Sequence, residues 1–169
     1  MILRRELPED RDAIFEVHTA AFADEGATSA PEARLVDELR RDGAAVPALS
    51  LVATVDDKVV GHVVCSRGNV DTRRLLGLGP LGVLPGHQHQ GIGHALMHGV
   101  LAAADALDEP AVALLGDPSY YGRFGFVLAV PLGLLPADPS WAHFQVRLLT
   151  SWDGSHRGTF RYAEAFDRM

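Results

Sequence analysis

The sequence predicts an α/β protein: a mixed sheet with helices on both faces and central strands that splay apart. Three observations predict it. Apolar residues recur with a period near two or near 3.6 in the order β-α-α-β-β-β-α-β-α-β-β along the chain. Residues 74–107, RLLGLGPLGVLPGHQHQGIGHALMHGVLAAADAL, read as an apolar strand, a loop of His, Gln and Gly, and a long Ala-rich helix. Pro80 stands in the middle of that strand, between Gly79 and Leu81. Proline cannot donate to a ladder, so the strand must bulge or part from a neighbour there, leaving N–H and C=O groups free for a ligand.

The elements follow in order. Ile2 to Arg5 is a short strand. Pro8, Glu9 and Asp10 suit a helical first turn, and Ile14, Val17, Ala21 and Phe22 continue it as a stripe. Ala23 to Thr28 is a loop. Ser29 and Glu32 have capping-box spacing, with Leu35, Val36 and Leu39 on the second helix. Leu49 to Val55 and Lys58 to Cys65 form a hairpin about Asp56-Asp57, and Ser66 to Thr72 turns into the Pro80 strand. On the long helix, Ile92, Ala95, Leu96, Gly99, Val100, Ala103 and Leu107 make the packed stripe; His94, His98, Leu101 and Asp105 face water. Ala111 to Gly116 is apolar throughout, the pattern of a strand buried on both faces. Then come a short helical turn through Tyr120 and Tyr121, a strand from Phe126 to Val130, a loop from Leu132 to His143 and a strand from Phe144 to Leu149. In the tail from Trp152 to Met169, Phe160, Tyr162 and Phe166 pack back on the sheet.

Bulk properties bound the function. With 169 residues the chain is expected to be one domain spanning 1–169, long enough for a sizeable core. Its formal charge of −7 argues against a nucleic-acid or anionic-membrane partner. The one cysteine, Cys65, excludes an intrachain disulfide and reads as a core residue. With no signal segment and no long apolar run, a cytoplasmic location is expected.

The chemistry starts at Gln88-His89-Gln90-Gly91-Ile92-Gly93, which puts two glycines where the long helix begins. A helix start offers unpaired N–H groups and a partial positive charge, and glycine lets a phosphate come close. The stretch reads as a diphosphate cradle. No GxGxxG follows the first strand and no GxxxxGK[ST] occurs, so Rossmann and P-loop readings fail.

QHQGIG after one strand and YYGRFGF after the next, in this element order, resemble the GNAT superfamily of acetyl-coenzyme A-dependent N-acetyltransferases, and especially its YhbS-type members. Gln88, Gly91 and Gly93 match that family's [RQ]-x-x-G-x-[GA] signature. The resemblance implies the GNAT fold and acetyl-CoA as co-substrate. It implies that Gln88, His89, Gln90, Gly91, Ile92, Gly93 and His94 hold the pyrophosphate. Leu81, Gly82 and Val83 would pair with the pantetheine amides like an added strand, and Tyr121 would be the general acid. A homodimer is a further implication.

Direct acetyl transfer to a primary amine needs a neutral amine, an aligned thioester, a donor to the carbonyl oxygen and a proton for the thiolate. The splayed strand could align the thioester and offer an N–H near Val83, and a tyrosine hydroxyl is protonated at neutral pH. No carboxylate lies on the Pro80 strand, so the base is open. Glu25 is one candidate; His62 and His143 are others, each with a plain structural alternative. Tyr120 reads as a packing residue and Asp117 as a helix cap. His94 and His98 have i, i+4 spacing, but they face away from the packed stripe and no metal is expected. The competing reading is a non-catalytic acyl-CoA sensor on the same fold; a purely structural protein is a third. Asp24 and Glu25 hint at a cationic acceptor, whose identity is left open.

Overall fold

The structure is a computed structural model and describes residues 1–23 and 30–169. The chain opens with strand β1 (Ile2–Arg5), a 3-10 turn at Pro8–Asp10 and helices α1 (Arg11–Phe22) and α2 (Pro31–Arg41). Strands β2 (Ala45–Val55), β3 (Lys58–Val70) and β4 (Arg73–Val83) form an antiparallel meander. Helix α3 (Ile92–Ala106) crosses over to β5 (Ala111–Leu115), parallel to β4. The remainder is α4 (Pro118–Tyr121), β6 (Val127–Leu128), β7 (Leu134–Pro136), β8 (Phe144–Leu148) and β9 (Gly158–Arg161). The sheet runs β1-β2-β3-β4-β5-β8-β6, and β9 pairs with β3 and β7.

Helix α3 covers one face and α1 with α2 the other. A side chain at Gly61 of β3 would meet Leu96 and Ile92 of α3, whereas one at Gly82 of β4 would meet His18 of α1. The α3 face holds the largest apolar cluster, with Leu96, Met97 and Val100 fully buried against Leu49, Val63 and Leu76. Leu101, expected in water, is 9% exposed, and Leu107, expected in the stripe, is 48% exposed beyond the helix end. The buried stripe takes in Leu101 because Phe124 and, at the end of β8, Leu148 and Leu149 close over that side of the helix.

Other departures have local causes. Strand β3 runs on to Val70 and the turn narrows to Asp71-Thr72, because Arg67 to Val70 pair with β4. β2 starts at Ala45, with a register shift before Ser50 that accommodates Pro47. Only Val127 and Leu128 of the expected strand at 126–130 pair, with β8; the chain then coils at Val130–Leu132. The expected loop after Leu132 contains β7, which pairs with the distant β9. The N-cap of α2 is Ala30, with Pro31 in the first turn. Ser29, the expected cap, lies outside the described residues, as do Asp24 and Glu25.

Candidate active site

The expected splay sits at Pro80. Strands β4 and β5 pair only at Leu76–Val112 and Gly77–Ala113. Beyond that point β4 runs on to Val83 with its β5-side edge open. On its other edge the register with β3 slips between Val63–Leu81 and Cys65–Leu78, which leaves Gly79 and Pro80 as the bulge. The Gly79-Pro80 peptide is cis.

The open edge can be read residue by residue. Leu84 donates its N–H to Val60 O of β3 at 2.9 Å. Main-chain groups alternate along a strand, so Leu81 and Val83 turn theirs away from β3, to the open side. The Gln88 side-chain amide reaches Val83 O there at 3.0 Å. Gly82 turns its own amide back to β3. It lines the cleft through its lack of a side chain.

The glycine turn follows. Gly91 has φ of +83°, a left-handed conformation that favours glycine, and is the N-cap of α3. Gly93 is needed for a different reason: a Cβ there would lie 2.8 Å from the Tyr120 hydroxyl. The first helical bond is Ala95 N–H to Gly91 O, at 2.9 Å. Among the described residues, the N–H groups from His89 to His94 have no protein acceptor, whereas Gln88 N–H already donates to Pro85 O at 3.3 Å. Gln88 and Gln90 therefore brace the turn, Gln90 through Gly86 O at 3.1 Å. The donors available to an anion begin at His89.

The opposite wall comes from α4. Asp117 accepts from Ser119 N–H at 2.8 Å and from its hydroxyl at 2.7 Å, the capping role expected of it. Proline at the first helical position and Gly125 with φ of +80° bound the segment. Tyr120 stacks beside His94, with ring centres 5.9 Å apart, and roofs the glycine turn. Arg123, not singled out in the sequence, lies over the Tyr120 ring at 5.2 Å and donates to His94 Nε2 at 3.0 Å. Its position in YYGRFGF, one turn from the tyrosines, was the available signal.

Tyr121 is largely buried, and burial, with Tyr120 adding a smaller push, raises its hydroxyl to about 12. It is a protonated donor at neutral pH. Leu81, Gly82, Val83, Gln88, Gly91, Gly93, Tyr120, Tyr121 and Arg123 surround a cleft of about 650 Å³. A second cavity of about 750 Å³ lies beyond Pro80, with Phe22, Leu81 and Tyr121 shared between the two. Its walls include Trp141, Tyr162 and Phe166, and its charged side chains among the described residues are Glu32, Glu164 and Asp167 against Arg161.

The base candidates separate. Glu25 lies outside the described residues. His143 is exposed at the start of β8 and lines neither cavity. His62 is fully buried. Cys65 is buried too, and burial raises its thiol well above the ordinary range, so it is no nucleophile at neutral pH.

Comparisons with known proteins agree with this architecture. Residues 47–128 match the family model described as "Acetyltransferase (GNAT) domain". The whole chain is 35% identical to the whole of the uncharacterized N-acetyltransferase YhbS of Escherichia coli (strain K12). The chain belongs to the GNAT acetyltransferase family. GNAT members with solved structures superpose closely. The crystal structure of Escherichia coli YhbS in complex with CoA gives a TM-score of 0.89 at 33% identity, covering 99% of this chain and 92% of that one. A GNAT acetyltransferase from Brucella melitensis in complex with acetyl-CoA gives 0.81 at 34% identity, covering 98% and 97%.

Proposed function

We propose that residues 1–169 form one N-acetyltransferase unit that moves an acetyl group from acetyl-CoA to a primary amine by direct attack in a ternary complex. The observation that carries this reading is the meeting of two cavities at Phe22, Leu81 and Tyr121, beside the open edge of β4. One is suited to a thioester carrier and the other to an acceptor. Cys65, the one thiol of the chain, is buried with its proton held on, which disfavours an acetyl-cysteine route and supports direct attack.

The residues present fit the carrier. Unpartnered N–H groups from His89 to His94 suit a diphosphate, with Arg123 exposed beside them to meet its charge. Leu81 and Val83 offer strand-like partners to the amides of the tail. The carrier would supply the acetyl group as a thioester. The N–H at Val83 would donate toward the carbonyl oxygen, and Tyr121 would protonate the departing sulfur. On the acceptor side, the Glu32, Glu164 and Asp167 carboxylates against the Arg161 guanidinium, among the described residues, favour a cationic amine, and the aromatic wall favours an apolar body.

The test is a panel of primary amines assayed with acetyl-CoA by free-thiol release, with both substrates varied. This reading predicts acetylation of cationic, apolar-bodied amines with intersecting initial-rate patterns. Parallel lines would indicate a covalent acetyl-enzyme and remove the ternary complex. If no amine reacts while acetyl-CoA raises Tm, the sensor reading replaces the enzyme.

A further inference from the structure

A chain of polar side chains crosses the protein interior beneath the active cleft. It joins α1, α2, β2, β3 and the segment after β1. His18 of α1 and His62 of β3 are both 0% exposed, and His18 Nε2 lies 2.8 Å from His62 Nδ1. His62 Nε2 lies 2.8 Å from the Ser50 hydroxyl of β2 and 3.3 Å from Glu6 Oε2. Ser50 in turn donates to Glu6. Arg40 of α2 closes the chain, donating to both Glu6 oxygens at 2.9 Å. Burying so many polar groups is costly unless each is satisfied, and one is not: His18 Nδ1 has no partner among the described residues.

The far end fixes the direction of every bond. Burial pushes the Glu6 carboxyl up, but hydrogen bonds from His62, Arg40 and Ser50 outweigh it and hold the group well below the ordinary carboxylate range. Glu6 is therefore an acceptor. Ser50 spends its proton on Glu6, so the proton between Ser50 and His62 must sit on His62 Nε2. His62 Nδ1 is then a lone pair, and His18 must donate to it from Nε2. The unpartnered His18 Nδ1 is left as a lone pair in its turn. It points at β4: a Cβ on Gly82 would come within 2.7 Å of it. Phe22, one turn on, stacks on the His18 ring at 5.9 Å and borders both cavities.

We propose that His18 Nδ1 accepts, through one water of the cleft, the proton that the acceptor ammonium must lose before it can attack. The proposal rests on the amine reading above. The protons balance as follows. An ammonium, R–NH3+, gives one proton to His18 Nδ1, and the His18 Nε2 proton moves to His62 Nδ1. His62, then protonated on both nitrogens, is an imidazolium paired with the Glu6 carboxylate 3.3 Å from its Nε2, and the same two transfers in reverse return the proton to the cleft water and restore both tautomers once product has left. The neutral amine then forms the N–C bond as the C–S bond breaks. The sulfur leaves with the electron pair and takes a proton from Tyr121. Tyr121 is recharged by the second proton that nitrogen loses. One net proton is released per turnover. His62, Ser50, Glu6 and Arg40 are positioning residues: they set the His18 tautomer and hold the transferred charge. The charged and titratable groups facing His18 are His62 from β3 and Arg40 from α2. Burial, then these two, keep His18 neutral across the working pH range.

The test uses the full chain, acetyl-CoA and phenethylamine. His18→Gln, and Glu6→Gln as a milder variant at the far end, are checked for Tm and for CoA affinity by calorimetry. A lost base predicts kcat/KM down on the order of a hundredfold near neutral pH. The loss must shrink as pH approaches the amine's own pKa of about 10, where the free amine needs no base. Glu6→Gln should show the same trend, smaller. A merely structural role gives a loss that does not change with pH; that result, or no loss, overturns the relay. Imidazole 15N shifts of the same protein supply an arm that needs no acceptor. A lone pair on His18 Nδ1 with the proton on Nε2 supports the relay, and a proton on Nδ1 overturns it. If the wild type leaves phenethylamine untouched, that counts against the amine reading, and the shifts alone decide the relay.

Discussion

Replacing Tyr121 by phenylalanine removes one oxygen from the centre of the site. Its effects on turnover, binding and stability should separate. The ring rests over Gly116 and against Phe126, 5.9 Å between centres, and phenylalanine keeps those contacts. The hydroxyl has no protein hydrogen-bond partner among the described residues, so stability should change by less than about 1 kcal/mol. CoA affinity should hold, because the N–H groups proposed to hold the diphosphate run from His89 to His94, in the glycine turn and the first residues of α3. Turnover should not. A positioned acid contributes about a hundred- to ten-thousandfold, or about 3 to 5 kcal/mol of barrier at about 1.4 kcal/mol per tenfold. The assay is thiol release at saturating acetyl-CoA and amine, with CoA calorimetry and a melt on the same preparation. With the hydroxyl held to about 12, the wild type should show no alkaline decline from this group below about pH 10. Unchanged kcat in Tyr121→Phe, or a loss matched by lost CoA affinity, would refute the acid role.

Other predictions follow from the same geometry. Gly91→Ala should cost about 1 to 2 kcal/mol of stability, read by chemical denaturation, because φ of +83° is unfavourable for any side chain. Gly93→Ala drives a methyl toward the Tyr120 hydroxyl and should weaken CoA binding by about tenfold in calorimetry, with little change in melting. Leu96→Ala should cost about 2 to 5 kcal/mol, because Leu96 is fully buried between α3 and the sheet. Acid should destabilise the protein in two stages. His18 and His62 are held below their ordinary value mainly by burial, so stability should fall once pH drops below about 6.5, where the unfolded chain takes up protons first. Glu6, also held low when folded, adds its loss below about pH 4.3, as does Asp10 beside Arg4, so Glu6→Gln should reduce that second stage in a melt-versus-pH series without abolishing it.

What the sequence showed was local. The glycine turn, the interrupted Pro80 strand and the capping Asp117 each carry their cause within a few residues, and all were legible. The α3 stripe was legible to within a rotation: Leu101 against Leu107 turns on which segments close over the helix, a tertiary fact. Strands β7 and β9 were not legible. Three residues ending in Pro136 carry no periodicity, and their pairing partner is over 20 residues away. His62 was visible as a candidate, but its partners Glu6, His18, Arg40 and Ser50 come from separate elements. The orphaned Nδ1 that gives the group a direction exists only when they are packed together.

The most direct measurement is a crystal of the protein soaked with acetyl-CoA. The diphosphate should lie on the N–H groups between His89 and His94, the tail along Leu81 and Val83, and the thioester between Phe22 and Tyr121. A coenzyme seated elsewhere, or an open edge of β4 that stays filled by protein side chains, would contradict the assignment of this cleft.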